Sequence, residues 1–475
     1  MRDVVQRLDR VLNPRTVAVV GDKKAGGYMW LRNMSTFKGK LYSVQVNPND
    51  IAGIEEMGVP NFTSLLDVPD DIDLVVCAVP RQVAPRVIAE CIRKNVGGVQ
   101  MFTSGFAETG EELGVQLQKT ITDAAVENDL LIVGPNCMGI YNPRAGIRFS
   151  AEQPAGEGGS IGFISQSGTH GINFSLLAAA NGLRMSKVIS IGNAVVLDAS
   201  DCLEYFAADA ETEAIGMYVE GVRDGRRFFR VLRDAALKKP VVIWKGGRTE
   251  AGARATRSHT ASLASSQAIW EAVMRQTGAV SADNLDESVD LMQLLRRCKA
   301  GTGTRVGLMA MTGGQSVVIS DAFASSGLEV PMLAQSSYAE LSTFFNVVGG
   351  SYQNPFDMAG TIGGDRENLD RLFRILDEDP NIDAIATEIS ATFMSRRWAN
   401  NPEQFEEFIG RLAAHKERSS KPFLAIMHPG HSEIEVAKQR PRFQDAGIPV
   451  IPSFDRAARA LHRVIDYHRF RARMG

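Results

Sequence analysis

The sequence has few cysteines and no long apolar segment. Its 475 residues include five cysteines, which are widely separated and form no Cys-x-x-Cys pair. This argues against a thiolate zinc site and a disulfide framework. No apolar run approaches the roughly 18 residues of a spanning helix, and charges throughout the first 14 residues argue against a signal peptide. We therefore predict a reduced cytoplasmic protein with no membrane partner.

A strong charge of either sign is also missing. Lys and Arg number 52 and Asp and Glu number 55, which gives a net charge of −3. Near-neutrality argues against a nucleic-acid partner. At roughly 150 residues per domain, the length indicates about three domains. Glycine accounts for 44 of the 475 residues, slightly more than the usual share of about 7%. This matters because glycine lets a backbone approach a phosphate closely.

Short β-branched runs alternate with helical patterns along most of the chain. This alternation predicts an α/β fold with largely parallel sheets. Segments rich in glycine, at 151–160 and 299–304, read as linkers. We therefore predict three domains, over residues 1–148, 149–300 and 301–475.

The second and third predicted domains open with similar segments. The first is IGFISQSGTHG, at 161–171, and it aligns with VGLMAMTGGQS, at 306–316. In both, an apolar strand leads into a hydroxyl residue, a glycine and a helix. The alignment favours two related domains, although Ser, Thr and Gly are common wherever a helix begins.

Loops that could bind a ligand follow the predicted strands of the first domain. The first loop, in VAVVGDKKAGG at 17–27, lacks Gly-x-Gly-x-x-Gly, so the standard dinucleotide fingerprint is absent. Ligands of doubly wound sheets bind at the carboxyl ends of the strands, and helix N-termini attract phosphates. These loops predict a nucleotide-like ligand, with simple turns as the alternative.

A second candidate site lies at 245–266, after the predicted strand PVVIW. This segment is rich in Gly, Ala, Arg and Ser/Thr, which predicts a flexible loop, and it contains His259. Imidazole is nucleophilic at neutral pH and can accept a phosphoryl group. The alternative is a surface histidine without a function. The sequence pattern around His259 distinguishes these two interpretations.

That pattern resembles a known family. RTEAGARATRSHTASLA, at 248–264, resembles the phosphohistidine loop of NDP-forming acyl-CoA synthetases, the ADP-forming branch of the succinyl-CoA synthetase superfamily. GPNCMGIYNP, at 134–143, resembles the motif that closes their CoA-binding domain. GFAETGEE, SQSG, SIGN, YVEGVRDGRRF and NPFD also match, in order along the chain.

The resemblance implies a Rossmann-like CoA-binding domain followed by two flavodoxin-like domains, without an ATP-grasp domain. It implies an acid–thiol ligase that reversibly converts a carboxylic acid, CoA and ATP to acyl-CoA, ADP and phosphate, through a phosphohistidine and an acyl phosphate. The expected ligands are CoA and a small carboxylic acid. No metal site is expected in the chain.

By the same resemblance, His259 carries the phosphoryl group and Glu220 supports its imidazole. Two helix starts bind the phosphate, through Ser167, Gly168, Thr169, Gly313 and Gly314. The residues expected to bind CoA are Gly21, Asp22, Lys23, Asn47, Pro48, Pro80, Ser104, Gly105 and Asn136. His170 is interpreted as a capping or packing residue, and the pair His428 and His431 as structural.

The sequence has no P-loop, and three domains already account for its length. The resemblance implies that an ATP-grasp module binds ATP or ADP with Mg, and this module is therefore expected on a separate β subunit, in a hetero-oligomer. Ala261 and Ser265 replace glycines that the family pattern has, so the alternative is a CoA-binding regulatory or catalytically weakened homologue. A nicotinamide oxidoreductase is a third interpretation, which the absent glycine fingerprint disfavours.

Overall fold

The computed structural model describes residues 2–260, 266–358, 366–397, 401–429 and 432–474. The chain folds into two compact units. Unit 1 comprises 1–179 and 183–285, and unit 2 comprises 180–182 and 286–475. Unit 1 contains two sheets and unit 2 contains the third.

The first sheet of unit 1 is parallel, with the strand order β3-β2-β1-β4-β5-β6. All five residues of β1 are buried, as expected when helices cover both faces of a parallel sheet. The elements in this part of the chain are α1 (Arg2–Leu12), β1 (Thr16–Val20), α2 (Met29–Asn33), β2 (Lys40–Val44), α3 (Pro48–Glu56), β3 (Asn61–Phe62), β4 (Leu74–Cys77), α4 (Ala84–Lys94), β5 (Gly98–Met101), α5 (Glu112–Glu127), β6 (Leu131–Val133) and β7 (Gly139–Tyr141).

The second sheet of unit 1 has the order β12-β11-β10-β8-β9-β7. Its strands are parallel except for β7, which pairs antiparallel with β9 and which the sequence analysis did not predict. Its other elements are β8 (Ile161–Ser165), α6 (Gly168–Ala180), β9 (Met185–Ser190), α7 (Ala199–Ala208), β10 (Ala214–Val219), α8 (Gly225–Lys238), β11 (Val241–Lys245), α9 (Glu250–Thr260), α10 (Gln267–Thr277) and β12 (Val280–Ala282).

Helix α9 corrects the prediction of a flexible loop at 245–266. Alanine and arginine are good helix formers and outweigh the small polar residues of this segment. The helix begins after Thr249, whose Oγ1 accepts a hydrogen bond from the backbone N–H of Gly252 at 3.1 Å. Residues 250–260 are therefore helical.

Unit 2 contains a parallel sheet with the order β14-β13-β15-β16-β17. Its core includes the buried Phe356, Leu376 and Phe423. The elements are α11 (Leu285–Arg297), β13 (Val306–Ala310), α12 (Gly313–Ser325), α13 (Gln335–Leu341), β14 (Phe356–Asp357), α14 (Arg366–Glu378), β15 (Ala384–Glu388), α15 (Ala391–Arg397), α16 (Pro402–Arg418), β16 (Phe423–Ile426), α17 (Glu433–Asp445), β17 (Val450–Ile451) and α18 (Phe454–Met474).

No helix in the described ranges is long and apolar enough to cross a membrane. The domain boundaries at 148 and 300 remain a prediction.

Candidate functional site

A cavity of about 540 Å³ opens at the carboxyl end of the second sheet. It lies where β8, β10 and β11 end, the edge at which parallel sheets bind their ligands. The described residues that line it are Ser167, His170, Tyr218, Glu220, Gly247, Gly252, Ala255 and Thr256. Two of the predicted site residues, Ser167 and Glu220, therefore share one cavity.

The turn between β8 and α6 presents the start of a helix to this cavity. Ser165 Oγ accepts the Ser167 N–H at 3.2 Å and donates to the Ser167 carbonyl at 2.6 Å. Ser167 Oγ accepts the His170 N–H at 3.4 Å. The helix begins at Gly168 and continues through Thr169, so the three predicted phosphate-binding residues form one helix N-terminus, a geometry that favours anions.

Glu220 follows β10 and is held at several points. Its backbone N–H donates to Gln166 Oε1, and the Gly221 N–H donates to the same oxygen at 3.0 Å. Lys245 Nζ donates to the Glu220 carbonyl at 2.8 Å. The Tyr218 hydroxyl donates to Glu220 Oε1 at 3.1 Å. The residue is 4% exposed, so its carboxylate is buried at the cavity wall.

Three rings pack together beside Glu220. The His170 ring centroid lies 4.4 Å from Tyr218 and 4.5 Å from Trp244, and Tyr218 lies 4.6 Å from Trp244. The packing interpretation of His170 agrees with these contacts, but the ring also lines the cavity. Sequence reasoning did not select Tyr218, Trp244 or Lys245. Tyr218 lies two residues before Glu220, Lys245 is the first residue of the segment that contains His259, and Trp244 directly precedes that segment.

The backbone of His259 belongs to α9, near its carboxyl end. Its side chain, Ala261 and Ser265 lie outside the described residues. Gly252, Ala255 and Thr256, from the same helix, line the cavity that contains Glu220. The predicted contact between His259 and Glu220 stays a prediction.

In unit 2, β13 of the third sheet leads into α12, whose start resembles that of α6. Thr312 caps α12, and its side chain accepts the Gln315 N–H at 3.4 Å, as Ser167 accepts that of His170. Gly313 and Gly314 form the first positions of this helix. The internal repeat predicted from the sequence thus extends to the hydrogen bond that starts each helix.

The two copies differ on the neighbouring strand. In the first copy Ile164 pairs with Met217, and in the second copy Met309 pairs with Thr387. Ile164 and Met309 are equivalent in the aligned segments, so their partners Met217 and Thr387 are equivalent as well. Glu388 therefore corresponds to Tyr218, and Ser390 corresponds to Glu220. The Glu388 carboxylate accepts the Met311 N–H at 2.8 Å, and burial raises its pKa. The second copy therefore has serine where the first has the cavity glutamate.

Several residues predicted to bind CoA lie at the carboxyl edge of the first sheet. Gly21 follows β1, and the buried Asp22 accepts the Lys23 N–H at 3.0 Å and the Leu31 N–H at 2.9 Å. Burial raises the pKa of Asp22, although these hydrogen bonds oppose the shift. Lys23 is exposed. Asp22 thus shapes the loop from inside while Lys23 faces solvent.

The loop after β2 supplies the next helix start. Asn47 caps α3, with Oδ1 accepting the Asn49 N–H at 3.1 Å, and Pro48 occupies the first helical position. Both residues are exposed. A phosphate at this edge would meet the N-terminus of a helix, which is a favourable site for an anion.

The remaining loops at this edge lie after β4, β5 and β6. Pro80 and Ser104 are exposed. The Gly105 carbonyl accepts a hydrogen bond from Arg81 at 2.7 Å, and the Gly105 N–H donates to Glu108 at 2.6 Å. Asn136, in the loop after β6, has φ +56° and donates its N–H to the Thr103 carbonyl at 2.9 Å.

Apolar side chains are exposed beside these polar loops. Val46 is 65% exposed, Val83 41% and Phe102 39%. Each follows the carboxyl end of a strand of the first sheet. An edge with a helix N-terminus, a lysine and exposed apolar surface suits a ligand that carries both phosphates and an aromatic base. The binding of CoA by these residues stays a prediction.

Among the residues that the structure describes, no group of three or more His, Cys, Asp and Glu side chains could hold a metal ion. His428 packs against Phe454 with ring centroids 4.3 Å apart, and burial lowers its pKa. His431 lies outside the described residues.

Comparison with known proteins identifies the domains. Residues 15–143 match the family model of a CoA binding domain. Residues 158–295 match the model of a succinyl-CoA ligase like flavodoxin domain. The chain thus combines a CoA-binding domain with a CoA-ligase type of flavodoxin domain.

Relatives match over the whole chain. The alpha subunit of acetate–CoA ligase [ADP-forming] II from Pyrococcus furiosus is 34% identical over 464 residues, which cover 97% of each chain. The chain therefore belongs to the family of ADP-forming acyl-CoA ligases. This confirms the family, fold class and reaction class predicted from the sequence motifs.

Two further comparisons concern length and structure. Acetate–CoA ligase [ADP-forming] I from Archaeoglobus fulgidus is 35% identical over 390 residues, and the match spans only 55% of that longer protein. The structure of dinucleotide forming acetyl-coenzyme A synthetase 1 from Ca. Korarchaeum cryptofilum, in complex with phosphate and ADP, is 28% identical. It superposes with a TM-score of 0.82, covering 98% of this chain and 97% of that one.

Proposed function

We propose that the chain is the α-type subunit of a ligase that joins CoA to a small carboxylic acid, with His259 as the phosphoryl carrier. The observation that carries this proposal is the cavity in which Glu220, the helix start at Ser167 and one face of α9 come together. Position 259 follows Ala255 by four residues and Thr256 by three, the spacing that brings positions onto one helix face. Both of those residues line the cavity.

The chemistry of this cavity suits a phosphohistidine. Glu220 would accept a hydrogen bond from the imidazole and favour the ring orientation in which the other nitrogen attacks phosphorus. The N-terminus of α6, at Ser167, Gly168 and Thr169, would stabilise the negative charge of the phosphoryl oxygens. We assign a matching role to Gly313 and Gly314 at the start of α12.

The phosphoryl group would pass from His259 to the substrate carboxylate and form an acyl phosphate. The CoA thiol would then attack the acyl carbon, release phosphate and form the thioester. Splitting the reaction replaces one difficult step by two easier ones. CoA would be held at the carboxyl edge of the first sheet, where Gly21, Asn47, Ser104 and Asn136 follow its strands.

We further propose that ATP and Mg bind an ATP-grasp β subunit. Support comes from the relatives, because the full-length match is named an alpha subunit and the longer relative extends well beyond the matched region. The sequence itself has no P-loop. We propose division into a CoA-binding domain at 1–148, a histidine domain at 149–300 and its repeat at 301–475.

The test uses the chain assembled with its β subunit. With [γ-³²P]ATP, the wild-type chain should become labelled and should form acyl-CoA with a carboxylic acid. His259→Ala should abolish the labelling and lower the ligase rate at least 1000-fold, since the phosphoryl acceptor is lost. CoA binding, measured by calorimetry, should be unchanged. His468→Ala, in α18, is the control.

Labelling that survives in His259→Ala would contradict the assignment of the carrier. CoA binding without labelling of the wild-type chain, in its assembled complex, would instead favour the regulatory or weakened homologue.

A further inference from the structure

We propose that Tyr218 is a positioning residue that sets the orientation of the Glu220 carboxylate. The inference rests on the proposed function, because it concerns the glutamate that supports the phosphoryl-carrying histidine. The Tyr218 hydroxyl donates to Glu220 Oε1 at 3.1 Å. Burial raises the pKa of this hydroxyl, so Tyr218 remains a hydrogen-bond donor at neutral pH.

The backbone of Glu220 is fixed independently of Tyr218. Gln166 Oε1 accepts its N–H, and Lys245 Nζ donates to its carbonyl at 2.8 Å. These hydrogen bonds place the main chain but leave the side-chain torsions open. The hydroxyl of Tyr218 contacts the carboxylate itself, so it selects the direction in which the oxygens point.

The Tyr218 ring can do this because it is itself held in place. Its centroid lies 4.4 Å from that of His170 and 4.6 Å from that of Trp244. On another side lies Gly246, where an added Cβ would come within 2.5 Å of the Tyr218 hydroxyl oxygen. Little room therefore remains for the hydroxyl to move away from Glu220.

The internal repeat supports a shared role for the two residues. In the second copy the position of Tyr218 is taken by Glu388 and that of Glu220 by Ser390, counting from the pairing of Met309 with Thr387. The Glu388 carboxylate instead accepts the Met311 N–H. The tyrosine hydroxyl and the cavity glutamate thus occur together in one copy and are both replaced in the other.

The test compares Tyr218→Phe with Tyr205→Phe in the assembled ligase. Tyr205 is also a buried tyrosine that donates to a carboxylate at 3.1 Å, that of Asp9, but it does not line the cavity. We expect Tyr218→Phe to lower kcat and the initial rate of ³²P labelling about tenfold, as for loss of a hydrogen bond to a charged group. KM for CoA and for the acid should stay within twofold, and Tyr205→Phe should keep the wild-type kcat.

A second variant perturbs the same contact without removing the hydroxyl. Gly246→Ala should displace the Tyr218 hydroxyl by steric contact and give a similar loss of kcat with unchanged KM. A kcat within twofold of wild type in Tyr218→Phe, or an equal loss in Tyr205→Phe, would overturn the proposal. A wild-type chain that is not labelled by ATP would instead refute the proposed function, and Glu220→Gln with full activity would refute the role of the glutamate.

Discussion

Asn193 donates a hydrogen bond from Nδ2 to Glu108 Oε2 at 2.6 Å and so links the loop after β9 to the loop after β5. Asn136 Nδ2 also donates to Asn193 Oδ1, at 3.4 Å. Three segments noticed separately in the sequence, GFAETGEE, GPNCMG and SIGN, therefore meet within unit 1. Because Glu108 accepts the Gly105 N–H, the second sheet is connected to a loop at the proposed CoA site.

Replacing Asn193 by aspartate tests this connection. The change keeps the shape but turns the donor into a carboxylate oxygen beside Glu108, and two like charges in contact repel. We expect Asn193→Asp to weaken CoA binding at least fivefold, measured by calorimetry at pH 7.5. Asn128→Asp, which makes the same charge change at the exposed end of α5, should leave CoA binding unchanged.

The double variant Asn193→Asp with Glu108→Gln should recover most of the affinity, because the glutamine amide restores a donor and an acceptor at this contact. Equal CoA affinity for wild type and Asn193→Asp would show that the link does not shape the CoA site.

The backbone at Gly21 leads to a second prediction. Gly21 has φ +85°, and an added Cβ would lie 2.5 Å from Val79 Cγ1 and 3.3 Å from the Ala78 carbonyl carbon. Gly21→Ala combines an unfavourable φ with a close contact, so it should lower the free energy of unfolding by about 1–3 kcal/mol and weaken CoA binding. Urea denaturation and calorimetry measure the two effects.

Gly26 provides the control for this variant. It lies in the same loop, and an added Cβ there would meet nothing within 4 Å. Gly26→Ala should therefore leave stability within about 0.5 kcal/mol of wild type. If Gly21→Ala were as stable as Gly26→Ala, the positive φ and the contact with Val79 would not constrain this loop.

Local patterns were sufficient to predict the α/β fold with parallel sheets and both helix starts. Buried parallel strands such as β1 and β8 are continuous apolar runs, and the hydroxyl–glycine turns at Ser167 and Thr312 mark where helices begin. In contrast, β7 has three residues and pairs with β9, about fifty residues away. A local pattern does not reveal such a pairing.

The residues of the cavity could likewise be predicted only in part from local sequence patterns. Glu220 and Ser167 were identified because they occur in motifs that match a family. Lys245 contacts the Glu220 carbonyl because β10 pairs with β11. Tyr218 lies only two residues from Glu220, but no motif marks the hydrogen bond between its hydroxyl and the carboxylate. The helical segment α9 was predicted as a loop because its glycine and hydroxyl residues suggested flexibility, whereas its alanines and arginines favour a helix.

The buried ammonium of Lys245 leads to the last prediction. Lys245 is 7% exposed and donates to the Glu220 carbonyl, and burial lowers its pKa from 10.5 to about 8. Below about pH 8 the lysine is charged in the folded and the unfolded chain, so the folded state bears the full cost of burying it. Between about pH 8 and 10.5 the unfolded chain binds a proton that the folded chain has released, so rising pH stabilises the folded chain.

The measurement is the free energy of unfolding of wild type minus that of Lys245→Met, from urea denaturation at pH 7.5, 9 and 10. The difference should increase with pH by roughly 1–2 kcal/mol after allowance for partial solvent screening, because removing the lysine removes its titration. Lys38→Met, at an exposed position before β2, measures the effect of removing a surface lysine. A difference that stays constant, or falls with rising pH, would show that the ammonium of Lys245 is not destabilised by burial.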